Sequence, residues 1–490
     1  MTAWVQPSTP SAFDTNVGSN EFSPQADRFV LLRRTVMFGF SFLLLFFLSV
    51  FVPMLEPKLG LTIAAVCIVF SGRKIVSSTV SPLLALIGYG TLMAIFFPGP
   101  KPTVGLILQR PLFFLDCVLL AALCLFRQPL RNQYFILLGI LGISLIGVTG
   151  DLLGRDMTAL LPFEMPNETF FDQVTIDPAG NARIRGFFPE SGVLGAVCLT
   201  VATCVALGTL ALLAAKARMR MAFGALFFTV LIGGGILAVT ITKSGLAVML
   251  MALLGFLFAL AFSRSNSCRG FALLGMAAII VAATLFAFFA PTDLTEYFTD
   301  EFTKMASVQD QNPALNGGSG FASRAECWRL AWYTLRYYPF GVGPYGLGSV
   351  LTKPHDVILT NEMEFFFSRD IFGLKNGLAN MMAETGIVGL ALLLFYLWKN
   401  FAVPAWRHRA RRSIAGTFVA GLYCASGLAF LTFLASCELY PALALLLVLK
   451  CHADAVAKSC DDAGDAEASE PESSNAIYSH HPDPEPATVG

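Results

Sequence analysis

Gly192–Leu213 reads GVLGAVCLTVATCVALGTLALL, 22 residues without one charged side chain. A helix needs about 20 such residues to cross a bilayer, so this stretch reads as a membrane span. The rest of the chain agrees with it. The 490 residues are 55% hydrophobic and only 13% charged, whereas soluble domains carry about 25% charged residues. Other apolar runs lie at about Val36–Val52, Leu59–Phe70, Pro82–Phe97, Val104–Phe126, Tyr134–Val148, Phe223–Ile241, Gly245–Phe262, Phe271–Ala290, Leu378–Leu397, Ile414–Leu434 and Leu439–Leu449. The expected fold is an all-α polytopic integral membrane protein of about 12 transmembrane helices, with a large periplasmic loop containing interfacial helices.

Lysine and arginine set the orientation. Arg33 and Arg34, Arg73 and Lys74, Arg127 and Arg131, Lys216 and Arg218, Arg264 and Arg269, and Arg407 to Arg412 all fall in alternate loops if there are twelve spans. Both termini are then expected in the cytoplasm of a bacterial inner membrane. The expected organisation is a disordered cytoplasmic N-terminus (1–34), spans 1–5 (35–150), a first periplasmic loop (151–189), spans 6–9 (190–290), a large periplasmic loop (291–377), spans 10–12 (378–450) and an acidic, disordered cytoplasmic tail (451–490). The formal net charge of zero offers no basic excess for nucleic acid. The eleven cysteines form no zinc-spaced pair and no disulfide framework. No repeat relates the two halves, which argues against a transporter built from internal repeats.

Long outer loops are usually functional, and the larger one carries the best-formed polar–apolar segment of the chain, Ser323-Arg-Ala-Glu-Cys-Trp-Arg-Leu-Ala-Trp-Tyr-Thr-Leu-Arg-Tyr-Tyr-Pro-Phe-Gly-Val-Gly-Pro-Tyr-Gly346. Ser323 and Glu326 form a capping-box pattern, which predicts a helix beginning there. Trp328, Trp332 and Leu335 give one apolar stripe. Arg324, Arg329 and Arg336 ride on the same helix, and Pro339, Gly341, Gly343 and Pro344 stop it. Such a helix suits a membrane interface, and its arginines equally suit a phosphate or diphosphate, whose oxygens the guanidinium fork grips in pairs.

Other polar residues collect at the expected outer boundary. Arg183, Arg185 and Glu190 precede span 6, where a charge is costly unless paired or hydrated. Lys243 lies in Thr242-Lys-Ser-Gly245, either a tight outer turn or a helix break that could reach a phosphate. Lys375 and Asn376 enter the tenth run, and Asn376, Asn380 and Glu384, four apart, share one helix face that should line a bundle interior or wet cavity. Helix–helix hydrogen bonding is the alternative for that face. His355 is the sole histidine of the outer loops and the only neutral-pH base there. Arg110 and Asp116 read as a structural pair.

Four of these segments together resemble the bacterial O-antigen ligase and Wzy-type polysaccharide polymerase superfamily, over about Arg183 to Trp398. Arg183-x-x-Gly186-x-Phe188-Pro189 is similar to the family's Arg-Gly-Phe stretch before a span, and Thr242-Lys243-Ser244-Gly245 resembles its short Ser/basic turn. Arg324, Trp328 and Pro339-Phe-Gly-Val-Gly343 are similar to its outer-loop signature. Asn376 with Glu384-Thr-Gly386-Ile-Val-Gly389 resembles the segment leading into the next helix. Ligases of the family typically carry histidine directly before that Asn, where this chain has Lys375. The Phe-Phe-Pro-Glu-Ser string also looks more like the polymerase branch.

The resemblance implies metal-independent, cofactor-free transfer of glycan from an undecaprenyl-diphosphate carrier at the periplasmic face. On that reading Arg183, Arg185 and Arg324 hold the diphosphate with Lys243 or Lys375 assisting. Glu190 is the preferred base and His355 the reserve. Asn376, Asn380, Glu384, Arg329 and Tyr345 contact other parts of the substrate. The expected partners are the carrier-linked glycan, membrane lipid, and the chain-length regulator and flippase of the same export pathway. A ligase that moves finished glycan onto a lipid or other acceptor is the alternative enzyme, and a twelve-span transporter the non-enzyme alternative.

Overall fold

The computed structural model describes residues 79–97, 129–155, 191–239, 243–289, 320–344, 346–351, 376–410, 413–436 and 442–469, with isolated positions 115, 118, 157, 184 and 186 between them. The described residues form helices and no strand. In chain order these are α1 (Ser81–Phe96), α2 (Leu130–Leu152), α3 (Ser191–Ala214), α4 (Met219–Val239), α5 (Lys243–Ala261), α6 (Asn266–Phe289), α7 (Gly320–Tyr337), α8 (Gly346–Leu351), α9 (Gly377–Leu397), a π-helical turn (Trp398–Ala402), α10 (Val403–Ala410), α11 (Ile414–Ser436) and α12 (Ala442–Ser469). The expected spans Val36–Val52 and Leu59–Phe70, most of Val104–Phe126, the Arg110–Asp116 pair and most of both long loops lie outside these residues.

Five described helices are long and apolar enough to cross a membrane: Leu130–Leu152, Leu194–Ala214, Met219–Ile236, Gly377–Ala410 and Ile414–Ala435. Ser81–Phe96, Gly245–Ala261 and Asn266–Val281 are shorter apolar helices. Phe223, Phe227, Phe228 and Leu231 of α4, and Leu273, Leu274 and Ile280 of α6, are exposed. A surface of that kind faces lipid rather than water, because hydrocarbon exposed in rows is unfavourable in water. The chain is a multi-pass membrane protein.

The core forms where small residues let helices close. A Cβ on Gly255 of α5 would stand 2.7 Å from Leu428 Cδ1 and 3.2 Å from the Cys424 carbonyl oxygen of α11, and one on Gly421 would meet the Phe256 ring at 2.7 Å. Hence α5 and α11 lie in direct contact, as membrane helices with small interfacial residues do. The Phe256 and Phe418 rings meet edge to face at 5.5 Å. Around this pair α3, α4 and α12 complete one continuous cluster.

The C-terminal region differs from expectation. Helix α12 does not end at residue 450 but continues to Ser469, with Cys451, His452, Val456, Ala457 and Cys460 buried against the bundle. Asp454, one of the acidic residues that suggested a disordered tail, is instead paired in place. Lys450 Nζ donates to both carboxylate oxygens of Asp454. The Tyr423 hydroxyl of α11 donates to Asp454 Oδ1 at 2.6 Å, and the His408 ring of α10 stacks on Tyr423 at 5.9 Å. His452 reaches the Cys204 carbonyl oxygen of α3 at 3.3 Å, directly above Gly208.

The Lys450 side chain is 8% accessible and that of Asp454 48%. Removing the carboxylate from a fully buried pair costs roughly 3–5 kcal/mol, and the half-wet aspartate brings this to about 2 kcal/mol here. Asp454→Ala should therefore lower the midpoint of thermal unfolding in detergent, and the Lys450→Met/Asp454→Leu double variant should recover most of it. An unchanged midpoint in Asp454→Ala would mean the ion pair holds nothing.

Candidate functional site

Helix α9 is not one helix. Gly386 has φ 61° and ψ −156°, so the backbone breaks there and a short arm, 377–385, precedes the longer apolar part. Only glycine adopts that backbone region readily. A break inside a membrane helix frees backbone groups that lipid cannot satisfy, and another element must supply their partners.

The turn after α7 supplies them. Val342 N–H donates to the Ala383 carbonyl oxygen at 3.1 Å and Gly343 N–H to the Glu384 carbonyl oxygen at 2.8 Å; Ile387 N–H donates to the Pro339 carbonyl oxygen at 2.9 Å. The Tyr89 hydroxyl of α1 donates to the Phe340 carbonyl oxygen at 2.9 Å. The fit leaves no room for side chains on the glycines. A Cβ on Gly341 would lie 2.3 Å from the Glu384 carbonyl oxygen, one on Gly343 2.3 Å from Ala94 Cα, and one on Gly386 2.3 Å from the Pro339 carbonyl oxygen. Gly341 and Gly343 also have φ of 89° and 75°. The Pro-Phe-Gly-Val-Gly string is thus a clasp that joins α1, α7 and α9.

A small apolar cluster backs the clasp: Phe97, Cys327, Leu330, Ala331, Val342, Leu347, Ala379 and Met382 among others. The Phe97 and Tyr338 rings meet edge to face at 5.2 Å. The arm carries the polar face expected from the sequence. Asn376 caps it, its side-chain oxygen accepting from Ala379 N–H at 3.0 Å. Asn376, Asn380 and Glu384 are all buried, at 1%, 1% and 3% exposure. A buried carboxyl and two amides on one face, held by the turn that ends an arginine-bearing helix, can hydrogen-bond a polar ligand and stabilise charge.

Helix α7 corrects two expectations. It begins at Gly320, not at Ser323, so Ser323 lies within the first turn rather than ahead of it. Its buried stripe is Cys327, Leu330, Ala331 and Thr334, while Trp332 is exposed and Trp328 and Leu335 are half-buried. Small residues win that face because α9 approaches it closely. The helix does stop before Pro339, as expected.

Gly186, in the other motif, has φ 57°; its N–H donates to Asp151 Oδ2 at 2.6 Å, and an added Cβ would lie 3.2 Å from the Gly147 and Val148 backbone. That pins the end of the first long loop to the end of α2. Lys243 is the first residue of α5, and residues 240–242, between α4 and α5, lie outside the described residues. Arg183, Arg185, Glu190, Tyr345, His355 and Lys375 lie outside the described residues, as do the side chains of Lys243 and Arg324. Arg329 is on the exposed face of α7. Among the described residues no three of His, Cys, Asp and Glu are placed to hold a metal ion.

Tyr89 and the Gly386 break were missed in the sequence. A glycine inside a helical apolar run, costing about 1 kcal/mol against alanine, was the available signal.

Residues 228–394 match the family model described as O-antigen ligase. That interval contains Lys243, all of α7, the clasp and the polar arm, and stops before the π-helical turn. No curated protein matches the chain.

Gly386→Ala should open the clasp, since the strained backbone alone costs on the order of 1–3 kcal/mol before the steric conflict is counted. Limited trypsin digestion should then cut faster at the exposed Arg336. Equal cutting rates in the variant and the parent would mean the turn is held by something else.

Proposed function

We propose that this chain, whose residues 228–394 match the O-antigen ligase family model, is a membrane glycosyltransferase that polymerises undecaprenyl-diphosphate-linked repeat units at the periplasmic face. A hydroxyl oxygen of the acceptor sugar attacks the anomeric carbon of the donor. The bond from that carbon to the diphosphate oxygen breaks, the diphosphate leaves with the electron pair, and the hydroxyl proton passes to a base. The leaving group is good already, so the protein need only neutralise developing charge and take the proton.

Arg183, Arg185 and Arg324, with Lys243 or Lys375, are assigned to the diphosphate, Glu190 to the proton, and His355 stands in reserve. Asn376, Asn380 and Glu384 are assigned to the sugar. The observation that carries this reading is the buried amide–carboxyl face closed by the clasp, at the end of the arginine-bearing helix. A face so polar within an apolar helix is costly unless it has work to do. Lys375 in place of the usual ligase histidine favours the polymerase. The description of the matched family favours a ligase as the second reading.

Arg324→Ala should abolish polymer while leaving the protein in the membrane. Carrier-linked single repeats should accumulate, at a polymer yield at least about tenfold lower, the loss expected when one charge-stabilising contact of more than about 1.4 kcal/mol disappears. Long carrier-linked chains in a deletion strain would identify a ligase instead, and normal polymer in Arg324→Ala would remove the arginine from the site.

A further inference from the structure

Helix α9 leads away from the clasp. Its 21 residues carry the π-helical turn and α10 about 30 Å from it, the thickness of a hydrocarbon core, and so to the opposite membrane boundary. There Arg409 of α10 lays its guanidinium over two rings, 5.7 Å from the centre of Trp406 and 5.8 Å from that of Phe262, the residue after α5. The next residue, Ser263, takes a second guanidinium: Arg269 of α6 donates from Nε to its carbonyl oxygen at 2.6 Å. Ser263 is itself buried. Its hydroxyl lies 3.2 Å from that of Thr417 on α11 and accepts from Ser265 N–H at 3.2 Å. Helices α5, α6, α10 and α11 thus meet where two arginines are fixed on neighbouring residues.

These contacts use the face of one guanidinium and the Nε of the other. Both arginines are exposed, and neither faces a carboxylate among the described residues; Asp461 of α12 stands 4.0 Å from His408 instead. Arginines that merely snorkel to water keep their side chains free, whereas these two are held by rings and a carbonyl. Charge fixed at a membrane boundary calls for a counter-charge.

An apolar stripe runs down α5 from this point. Phe262 is 51% exposed, Phe258 64% and Leu250 41%, with Leu254 half-buried between them. Spaced by four, they share one helix face, and the Phe258 and Phe262 rings touch at 4.6 Å. The stripe is about 18 Å long, close to the depth of one leaflet, which is about half of a 30 Å core. Cations at the boundary, rings beside them and hydrocarbon below follow the outline of a phospholipid. A zwitterionic headgroup would bring its own cation against the guanidiniums, with no carboxylate to receive it. An anionic headgroup brings none.

We propose that the corner formed by Arg269, Arg409, Phe262 and Trp406 is a binding site for an anionic phospholipid, its phosphate on the two guanidiniums and an acyl chain along Phe262, Phe258, Leu254 and Leu250. The site requires only that the chain spans a membrane, so it stands or falls apart from the transfer reaction proposed above.

The test uses the full-length protein, purified in detergent and stripped of lipid, with bound lipid counted by native mass spectrometry. Phosphatidylglycerol should bind at least about tenfold more tightly than phosphatidylcholine, and Arg269→Gln/Arg409→Gln should remove that preference while leaving phosphatidylcholine binding unchanged. Equal binding of the two lipids by the parent, or an undiminished preference in the variant, overturns the site. Displacement of phosphatidylglycerol by an equal concentration of inorganic phosphate would show that the corner reads a free anion, and overturns the lipid. The parental protein alone gives a second measurement, should the variant fail to fold. Phosphatidylglycerol with a photoactivatable group on its acyl chain should label residues 250–262 above all others. Labelling of the exposed faces of α4 and α6 to the same extent overturns the proposal.

Discussion

Hydrocarbon offers no hydrogen bonds, so a helix can break inside a membrane only where another piece of protein takes over the freed backbone groups. In this protein that requirement falls on a few residues around Gly386. The carbonyls of Ala383 and Glu384 and the amide of Ile387 have their partners in residues 339–343. A made hydrogen bond stabilises by only about 1 kcal/mol, but a buried backbone group left unmatched costs about 1–3 kcal/mol. The second figure governs here. The arm of α9 cannot keep its broken geometry without the turn, so the segment following α7 is bound to a spanning helix as tightly as if it were part of it.

The clasp therefore fixes two kinds of chemistry relative to each other. The arm presents Asn376, Asn380 and Glu384; α7 presents its arginines; the three hydrogen bonds between them leave little freedom for either to shift alone. Glycine is needed at Gly341, Gly343 and Gly386 for backbone angle and for space at once. Tyr89 adds a side-chain bond from α1, so three helices meet at one turn. A second polar contact, Lys450 with Asp454 and Tyr423, ties α12 to α11 in the same manner. In both places polar groups join helices that dispersion forces alone would hold in several registers.

Much of this was legible in the residues. Apolar runs located eight described helices within about five positions at each end, and the start but not the end of α12, because length and hydropathy are local properties. The four-residue spacing of Asn376, Asn380 and Glu384 located the polar face, since helix periodicity is also local. What failed was long-range. The Trp328–Trp332–Leu335 stripe looked like the buried face because it holds the larger apolar groups. Yet α9 comes so close that Ala331 and Thr334 are the ones that fit. Ser323 looked like a cap because cap signals ignore what precedes them. Asp454 looked like part of a solvated acidic tail, because charge alone does not reveal a partner four residues back, at Lys450, and another on α11. The bond between Pro339 and Ile387 joins residues 48 positions apart in sequence, and no window-based pattern contains both.

Lys375 is informative by its position alone. In the sequence it directly precedes Asn376, the cap of the α9 arm, and a helix N-terminus is the positive end of its dipole. A cation there is disfavoured by about 0.3–1 kcal/mol, whereas an anion is favoured. Histidine at that place would be neutral near pH 7 and could exchange a proton; lysine stays charged and cannot act as a base unless it is strongly desolvated. A lysine beside a helix N-terminus is at ease when an anion lies between them. On the proposed reading the diphosphate is that anion. The exchange of histidine for lysine then moves this position from proton transfer to charge neutralisation, and leaves the acceptor's proton to a carboxylate elsewhere, which is the part assigned to Glu190.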